Sequence, residues 1–347
     1  MNRVLIRMSV VKGIVAVAFL VAPSFGTGSA SWAASAAAVK MPRILSFATA
    51  AEGTTSYIVG GAFGNILQKY LSIKAAIEPS GAATRWVPLM ARQEVDFGIH
   101  CAYPDMHDAY YGLAGYQKMG PQPVLSFADG HVVPWGLMTN DPQIKTVFDL
   151  KGKRFYGHIT GQSLYERGVP ALLAAAGLTG QVDILTFPNV GEAARGLAEG
   201  RGDALIYLPM VAPVLEVNRT TPLYPVAVPK DVADKVHKIE PALRGGIWKK
   251  GVAFAAQDTP SLFQGCGMAV RESLSAEVVT TLLRTIYAHY DEYKGTHSLL
   301  PQWSAENAVR LHITPFHPGA IAYFKERKIW TAEVEKQNQE LLAKRKK

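Results

Sequence analysis

Three short segments of this sequence consist largely of small and hydroxylated residues. They are Thr49-Ala50-Ala51-Glu52-Gly53-Thr54-Thr55-Ser56-Tyr57, Pro79-Ser80-Gly81-Ala82-Ala83-Thr84 and Ile159-Thr160-Gly161-Gln162-Ser163. Each follows a stretch of strand character and precedes one of helical period. A loop in that position gathers the backbone N–H groups that the first turn of a helix leaves without partners, at the end where the helix carries partial positive charge. Such a place accepts an anion, above all a carboxylate or phosphate. Taken singly, each loop reads as an N-cap and a tight turn; three in one chain point to a binding cleft. None contains G-x-G-x-x-G, and no Gly-Lys-Ser/Thr closes any of them as in a P-loop. The candidate ligand-binding residues are Thr54, Thr55, Ser56 and Tyr57 from the first loop, Ala83, Thr84 and Arg85 from the second, Tyr103 after the third strand, and Gln162 and Ser163 from the last. In this reading the N–H groups and hydroxyls of Thr54, Thr55, Ser56, Thr84 and Ser163 hold a carboxylate, with Arg85 as its charge partner. Ser163 and Glu166 also spell the capping box S-x-x-E, which makes Ser163 equally the cap of its helix.

Signatures of catalysis or metal binding are weak. No G-x-S-x-G occurs beyond the first 36 residues, and no serine or cysteine has a base at an informative spacing. Nine histidines are scattered without H-E-x-x-H, so neither a metal nor another cofactor is expected. Asp291-Glu292 reads as a solvated face, Glu94 and Asp96 as a turn into a strand, and Tyr110-Tyr111 as packing rather than a paired iron ligand. Cys101 and Cys266 are the only cysteines; an even count permits a bridge, but the default reading is two buried free thiols.

The elements that must position the loops follow from periodicity. Arg43 to Thr49 reads as a strand, and Ile58, Ala62, Phe63, Ile66, Leu67 and Tyr70 fall on one helical face. A strand at 73–78, a helix at 85–92 and a strand at 95–102 complete one set. A second set runs strand 154–157, helix 163–176, strand 182–187, helix 191–199 and strand 203–208, with Pro170 expected to kink or delay its first helix. Each set has a polar turn leading to an aspartate that starts a strand, Gln93-Glu94-Val95-Asp96 and Gly200-Arg201-Gly202-Asp203. The alternation predicts an α/β protein of two similar lobes, each a mostly parallel sheet covered by helices.

The chain has 347 residues, 48% hydrophobic and 18% charged, with a formal charge of +8. Its first 36 residues carry Arg3, Arg7 and Lys12, then the apolar run Gly13 to Ala22, then Ala34-Ser35-Ala36, the layout of a secretory signal peptide. Removing it leaves 311 residues and a charge of +5, and Lys344-Arg345-Lys346-Lys347 holds four of those charges. The body is nearly neutral, so a nucleic-acid partner loses its support. The sequence therefore predicts a periplasmic protein without a spanning segment in the mature chain.

The residues carry a resemblance. Thr49 to Tyr57 followed by Gly60 is similar to the first loop of the TAXI family, the extracytoplasmic solute receptors of TRAP transporters. Pro79 to Asp96 resembles its second loop, helix and turn, and Asp149 to Ser163 its D-L-x-G-K-R strand and following loop. Ile313-Thr314-Pro315-Phe316-His317-Pro318-Gly319-Ala320, through Tyr323, Glu326 and Trp330, resembles its closing pattern. The resemblance implies a type II periplasmic-binding-protein fold. Residues 37–133 plus 260–330 would form lobe 1, residues 134–259 lobe 2, and residues 331–347 a basic C-terminal helix or tail. It implies a monomeric receptor that captures a small organic anion, such as an amino acid or dicarboxylate, and delivers it to small and large TRAP membrane subunits. Departures lie at Ala50, Ala51, Thr54, Ser56, Trp86 and the run His100-Cys101-Ala102-Tyr103. They leave two readings for Phe47, Trp86 and Tyr103, an aromatic-sided pocket for a flatter or larger acid and, more often for an aromatic beside a loop, packing in the core. An orphan receptor serving a sensor or ABC permease, an exported enzyme acting on a small carboxylate, and an adhesive surface protein are the alternatives. His317-Pro318 reads as a structural helix entry.

Overall fold

The computed structural model describes residues 39–345 apart from Ala51, Gly81, Ala82, Cys101, Ala102, Gly161 and His312; the signal-peptide reading lies outside the described residues. The first set of elements is β1 (Ile44–Thr49), α1 (Thr55–Leu71), β2 (Lys74–Pro79), α2 (Ala83–Ala91), β3 (Phe97–His100) and α3 (Tyr103–Tyr111). A long strand β4 (Val124–Thr139) then leads to β5 (Arg154–His158), α4 (Ser163–Ala175), β6 (Asp183–Thr186), α5 (Val190–Ala198), β7 (Ala204–Tyr207) and α6 (Ala212–Thr220). After β8 (Tyr224–Pro225), α7 (Lys230–Ile239) and β9 (Leu243–Trp248), the strand β10 (Thr259–Arg271) returns. The chain ends with α8 (Ala276–Ala288), α9 (Tyr290–Tyr293), α10 (Pro318–Glu326) and α11 (Ala332–Arg345).

Helix α1 forms where the sequence reading places it, and for the expected reason: Val59, Phe63, Ile66 and Leu67 bury one face. Each such side chain taken from water contributes about 1.5–3 kcal/mol. The Thr54 side chain accepts from the Tyr57 N–H at the start, and Ser72 ends the helix in the left-handed conformation. Helix α4 starts at Ser163 and continues through Pro170, so no late start occurs. Pro170 lies on the exposed side of the helix.

The strands run in the order β2-β1-β3-β10-β4-β7-β5-β6. Pairs β1–β2, β1–β3, β5–β6 and β5–β7 are parallel, whereas β10 is antiparallel to both β3 and β4. The sheet is therefore mixed rather than mostly parallel. Strand β4 pairs with β10 from Val124 to Trp135 and with β7 from Gly136 to Met138, so it passes from one half to the other. It is buried along almost its whole length, as a central strand must be. The two largest hydrophobic cores are separate. One includes Phe47, Phe63, Phe97, Phe127, Leu282 and Trp303; the other includes Trp135, Phe155, Leu172, Leu197, Leu205 and Val236.

The twin aspartates have matching roles. Asp96 accepts from the Ser46 N–H of β1 at 2.9 Å and pairs with Arg271 at 2.7 Å. Asp203 accepts from the Arg154 N–H of β5 at 2.7 Å and pairs with that arginine's guanidinium at 2.8 Å. Each carboxylate ties the start of its own strand to the parallel neighbour. The His317-Pro318 entry is structural, with Nδ1 of His317 accepting from the Gly319 N–H at 3.1 Å. Tyr110-Tyr111 is packing too: Arg345 lies over the Tyr110 ring and the Tyr111 hydroxyl donates to the Leu341 carbonyl. The free-thiol reading is corrected, because Cys266 is disulfide-bonded. The one other cysteine in the sequence, Cys101, lies outside the described residues.

Candidate functional site

Strand directions place the site. Strand β4 runs in the same sense as β3, since β10 is antiparallel to both, and it continues into the second half where β7 runs against it. The carboxyl ends of β1, β2 and β3 therefore point toward the second half, and those of β5, β6 and β7 point back toward the first. Three strand-end loops from each side, every one leading into a helix N-terminus, are directed toward the other half. Open α/β sheets bind ligands beyond the carboxyl ends of their strands. Here two such edges are opposed.

On the first side, the loop before α1 is folded by its own hydroxyls. Ser56 Oγ accepts from the Ala50 N–H at 3.1 Å and lies 3.2 Å from Thr54 Oγ1. Ser56 is buried, while Thr54, Thr55 and Tyr57 are half-buried at the first turn. Ala83 and Thr84 open α2 half-buried, and Arg85 is exposed beside them. On the other side, Gln162 occupies the N-cap position of α4 without a side-chain cap bond, and Ser163 is the first residue inside the helix. The capping-box expectation for Ser163 is thus corrected by one position. The Ser163 N–H donates instead to Asp105 Oδ1 of α3 at 3.4 Å, across the cleft.

The aromatic-sided pocket is not formed by Phe47, Trp86 and Tyr103. Trp86 is buried across Gly98 of β3, where a Cβ would sit 2.1 Å from the indole. Phe47 stacks on Phe97 with ring centroids 4.9 Å apart. Tyr103 is buried with its ring against Gly265 and Gly267 of β10, and its hydroxyl donates to Asp129 Oδ1 at 2.5 Å. Burial is what decides this: a ring that fills the space above a glycine strand is core, and the buried phenol needs the partner that Asp129 supplies. Asp129 also accepts from the Leu311 N–H at 2.7 Å; burial drives its carboxyl up to about 6 against the pull of Tyr103, Leu311, Arg310 and Arg244. This group sits on β4 as it leaves the first half and braces the crossing.

Sequence reading missed a cluster where α3 meets α4. Arg167 Nη1 lies 2.5 Å from Asp108 Oδ1 of α3, and its Nε lies 2.9 Å from Glu240 Oε2 at the end of α7. The guanidinium thus joins an acid of each half. Asp105, one turn before Asp108, is buried; desolvation, reinforced by Asp108, raises its carboxyl to about 6 despite the bonds from Ser163 and the nearby Arg167. The residues are some sixty apart in sequence, and only the i, i+3 spacing of the two aspartates was visible there. Beside the cluster lies a cavity of about 680 Å³ walled by Arg167, Pro170, Ala171, Glu240, Leu341 and Lys344 among others. No strand-end loop lines it, so it is not the cleft. Among the described residues no group of three or more His, Cys, Asp or Glu is placed to hold a metal ion, and no helix is long and apolar enough to cross a membrane.

Two α/β lobes joined by the crossing strands β4 and β10, with the order β2-β1-β3-β10-β4 in the first, define the type II periplasmic-binding-protein fold. Residues 47–327 match the model of the NMT1-like family, and the chain belongs to that family. Among solved structures it is similar to an ancestral arginine-binding protein bound to arginine, at 18% identity, covering 74% of this chain and 98% of that one with a TM-score of 0.44. It is also similar to substrate-binding domain 2 of GlnP from Lactococcus lactis, at 13% identity over 76% and 96% of the two chains, TM-score 0.40. A third is an amino acid ABC transporter substrate-binding protein from Streptococcus pneumoniae bound to L-arginine, at 14% identity over 75% and 92%, TM-score 0.39. No curated protein sequence matches the chain.

Proposed function

We propose that this protein is a periplasmic solute receptor of a TRAP-type secondary transporter, binding a small organic anion between its lobes and handing it to the small and large membrane subunits. The observation that carries the receptor reading is the opposition of two sets of strand-end loops, each feeding helix N-termini, across a cleft spanned by β4 and β10. Opposed helix N-termini favour a carboxylate between them. The resemblance of the loops and of the closing stretch supports the TRAP assignment.

In this account the carboxylate meets the first turns of α1 and α2, through Thr55, Thr84 and the N–H groups beside them. Thr54 and Ser56 shape the loop, and Arg85 supplies charge at the rim. The lobes close over it and exclude water, which strengthens each bond. Ser163 also serves the contact with Asp105, so Thr55 and Thr84 give the cleaner test. Calorimetric titration of Thr55→Ala and Thr84→Ala with the acidic amino acid or dicarboxylate that binds the parent should show affinity lowered about 10-fold or more, as expected for a lost bond to a charged group. Unchanged affinity in both variants would contradict the placement.

A further inference from the structure

The α3–α4 contact holds more acid than base. Asp105, Asp108 and Glu240 are all buried, with residue exposures of 7%, 0% and 5%, and only Asp108 and Glu240 reach the one guanidinium. Arg167 lies against Asp108 and Glu240, at 2.5 and 2.9 Å. Asp105 has no cation within ion-pair distance among the described residues; what it accepts is the Ser163 N–H at 3.4 Å, long for a carboxylate, and the Ser163 hydroxyl, both neutral donors. The other groups facing it add little positive charge. The Tyr116 hydroxyl is buried without a hydrogen-bond partner, and Asp108 is a like charge on the same helix face. His107 sits 3.4 Å from Asp108 with its ring half-exposed, and Glu340 and Lys344 of α11 line the cavity beside it. Two acids already share the one guanidinium, so a third ionised carboxylate in the same dry space is repelled and unpaired.

The two partners of Asp105 and Asp108 lie on the opposite lobe, so the cluster assembles only when α3 meets α4. With the lobes apart, Asp105 faces water and ionises as an ordinary aspartate. We propose that closing the two lobes takes up one proton, held on Asp105, so that the α3–α4 contact is a proton-linked latch. This rests on the reading of the protein as a two-lobed receptor that opens and closes, and it adds a dependence on pH that the cleft loops do not supply. Protonated Asp105 keeps an oxygen to accept from Ser163 and loses the repulsion from Asp108. Arg167 is a positioning residue here, since it holds the two remaining acids and touches no solute. The direction agrees with the Asp105 carboxyl standing at about 6 in the closed arrangement against 3.8 for a free aspartate. Lowering the pH from 8 to 5 then shifts the closed-to-open ratio about tenfold toward closed.

The test needs no solute. Nitroxides at Gln68→Cys on α1 and Lys151→Cys before β5, both exposed, report the separation of the lobes by electron–electron double resonance in the full chain with its disulfide intact. The short-distance population should grow about tenfold relative to the long one between pH 8 and pH 5. In Asp105→Asn, which keeps the acceptor and cannot ionise, that ratio should be independent of pH and near the acidic value of the parent. In His107→Gln the response should persist. A distribution unchanged by pH in the parent would overturn the latch, as would a response retained in Asp105→Asn or abolished in His107→Gln. Because no ligand is added, these outcomes are independent of whether a carboxylate binds in the cleft.

Discussion

At the scale of single residues, Arg167 shows how a buried charge is kept. Its guanidinium pairs with Asp108 through Oδ1 and with Glu240, and Asp108 Oδ2 is buried without a hydrogen-bond partner among the described residues. Arg167→Met leaves two buried carboxylates without a cation, a loss of about 3–5 kcal/mol that thermal or denaturant unfolding will read at neutral pH. Asp105 behaves in the opposite sense. Its carboxyl is raised by burial, so the folded state binds the extra proton between about pH 4 and 6, and stability falls as the pH rises through that window. Asp105→Asn removes the cost, and its melting temperature should match the parent near pH 4 and exceed it above pH 6, by an amount corresponding to about 1–3 kcal/mol. An equal difference at both pH values would contradict this. None of these pairings was legible in the sequence, because Asp108 and Arg167 stand on helices separated by the strands β4 and β5, and Glu240 lies farther on, after α7. The hydroxyls of the first loop were legible as to place. Their roles divide only in three dimensions, where Ser56 turns inward to the Ala50 N–H and Thr55 does not.

At the scale of elements, periodicity and turn chemistry predicted both βαβ sets closely. The helix whose apolar face was read from Ile58 to Tyr70 begins at Thr55, and the strands expected at 73–78 and 154–157 lie within a residue of their observed ends. The long strands β4 and β10 were not read from the residues themselves. Strands buried on both faces have no alternation to reveal them, and glycines at Gly130, Gly136, Gly265 and Gly267 interrupt their apolar runs. Those glycines are there because Trp303, Trp248 and Tyr103 press on the strand backbone. Trp86 and Tyr103, open between pocket and core in the sequence, are buried against Gly98 and against Gly265 and Gly267. Gly98 tests the packing directly. Gly98→Ala places a methyl 2.1 Å from the fully buried Trp86 indole, and the fit should cost about 1–3 kcal/mol. Gly61→Ala on α1, with nothing within 4 Å, should be neutral or stabilising. Equal melting temperatures for the two variants would show that the Trp86–Gly98 contact is not tight.

At the scale of the molecule, the two largest cores are separate while the strands that join them are shared, an arrangement in which the proposed closure breaks neither core. Asp129 and the Cys266 disulfide both sit at that junction, on β4 and β10. Full reduction of the disulfide should lower unfolding stability by about 2–4 kcal/mol, and an unchanged melting temperature in the reduced protein would contradict a stabilising role. The early impression of a basic protein also resolves at this scale, since four of its charges lie in the last four residues and the rest of the chain beyond residue 36 is nearly balanced. The central claim is that the opposed loops bind a small organic anion. A thermal-shift panel of amino acids, dicarboxylates and aromatic acids, applied to the chain from Val39 onward, tests it most directly. The account predicts that at least one carboxylate raises the melting temperature saturably, with about 2.7 kcal/mol of added stability at a concentration 100 times its dissociation constant. No shift with any member of the panel would contradict it.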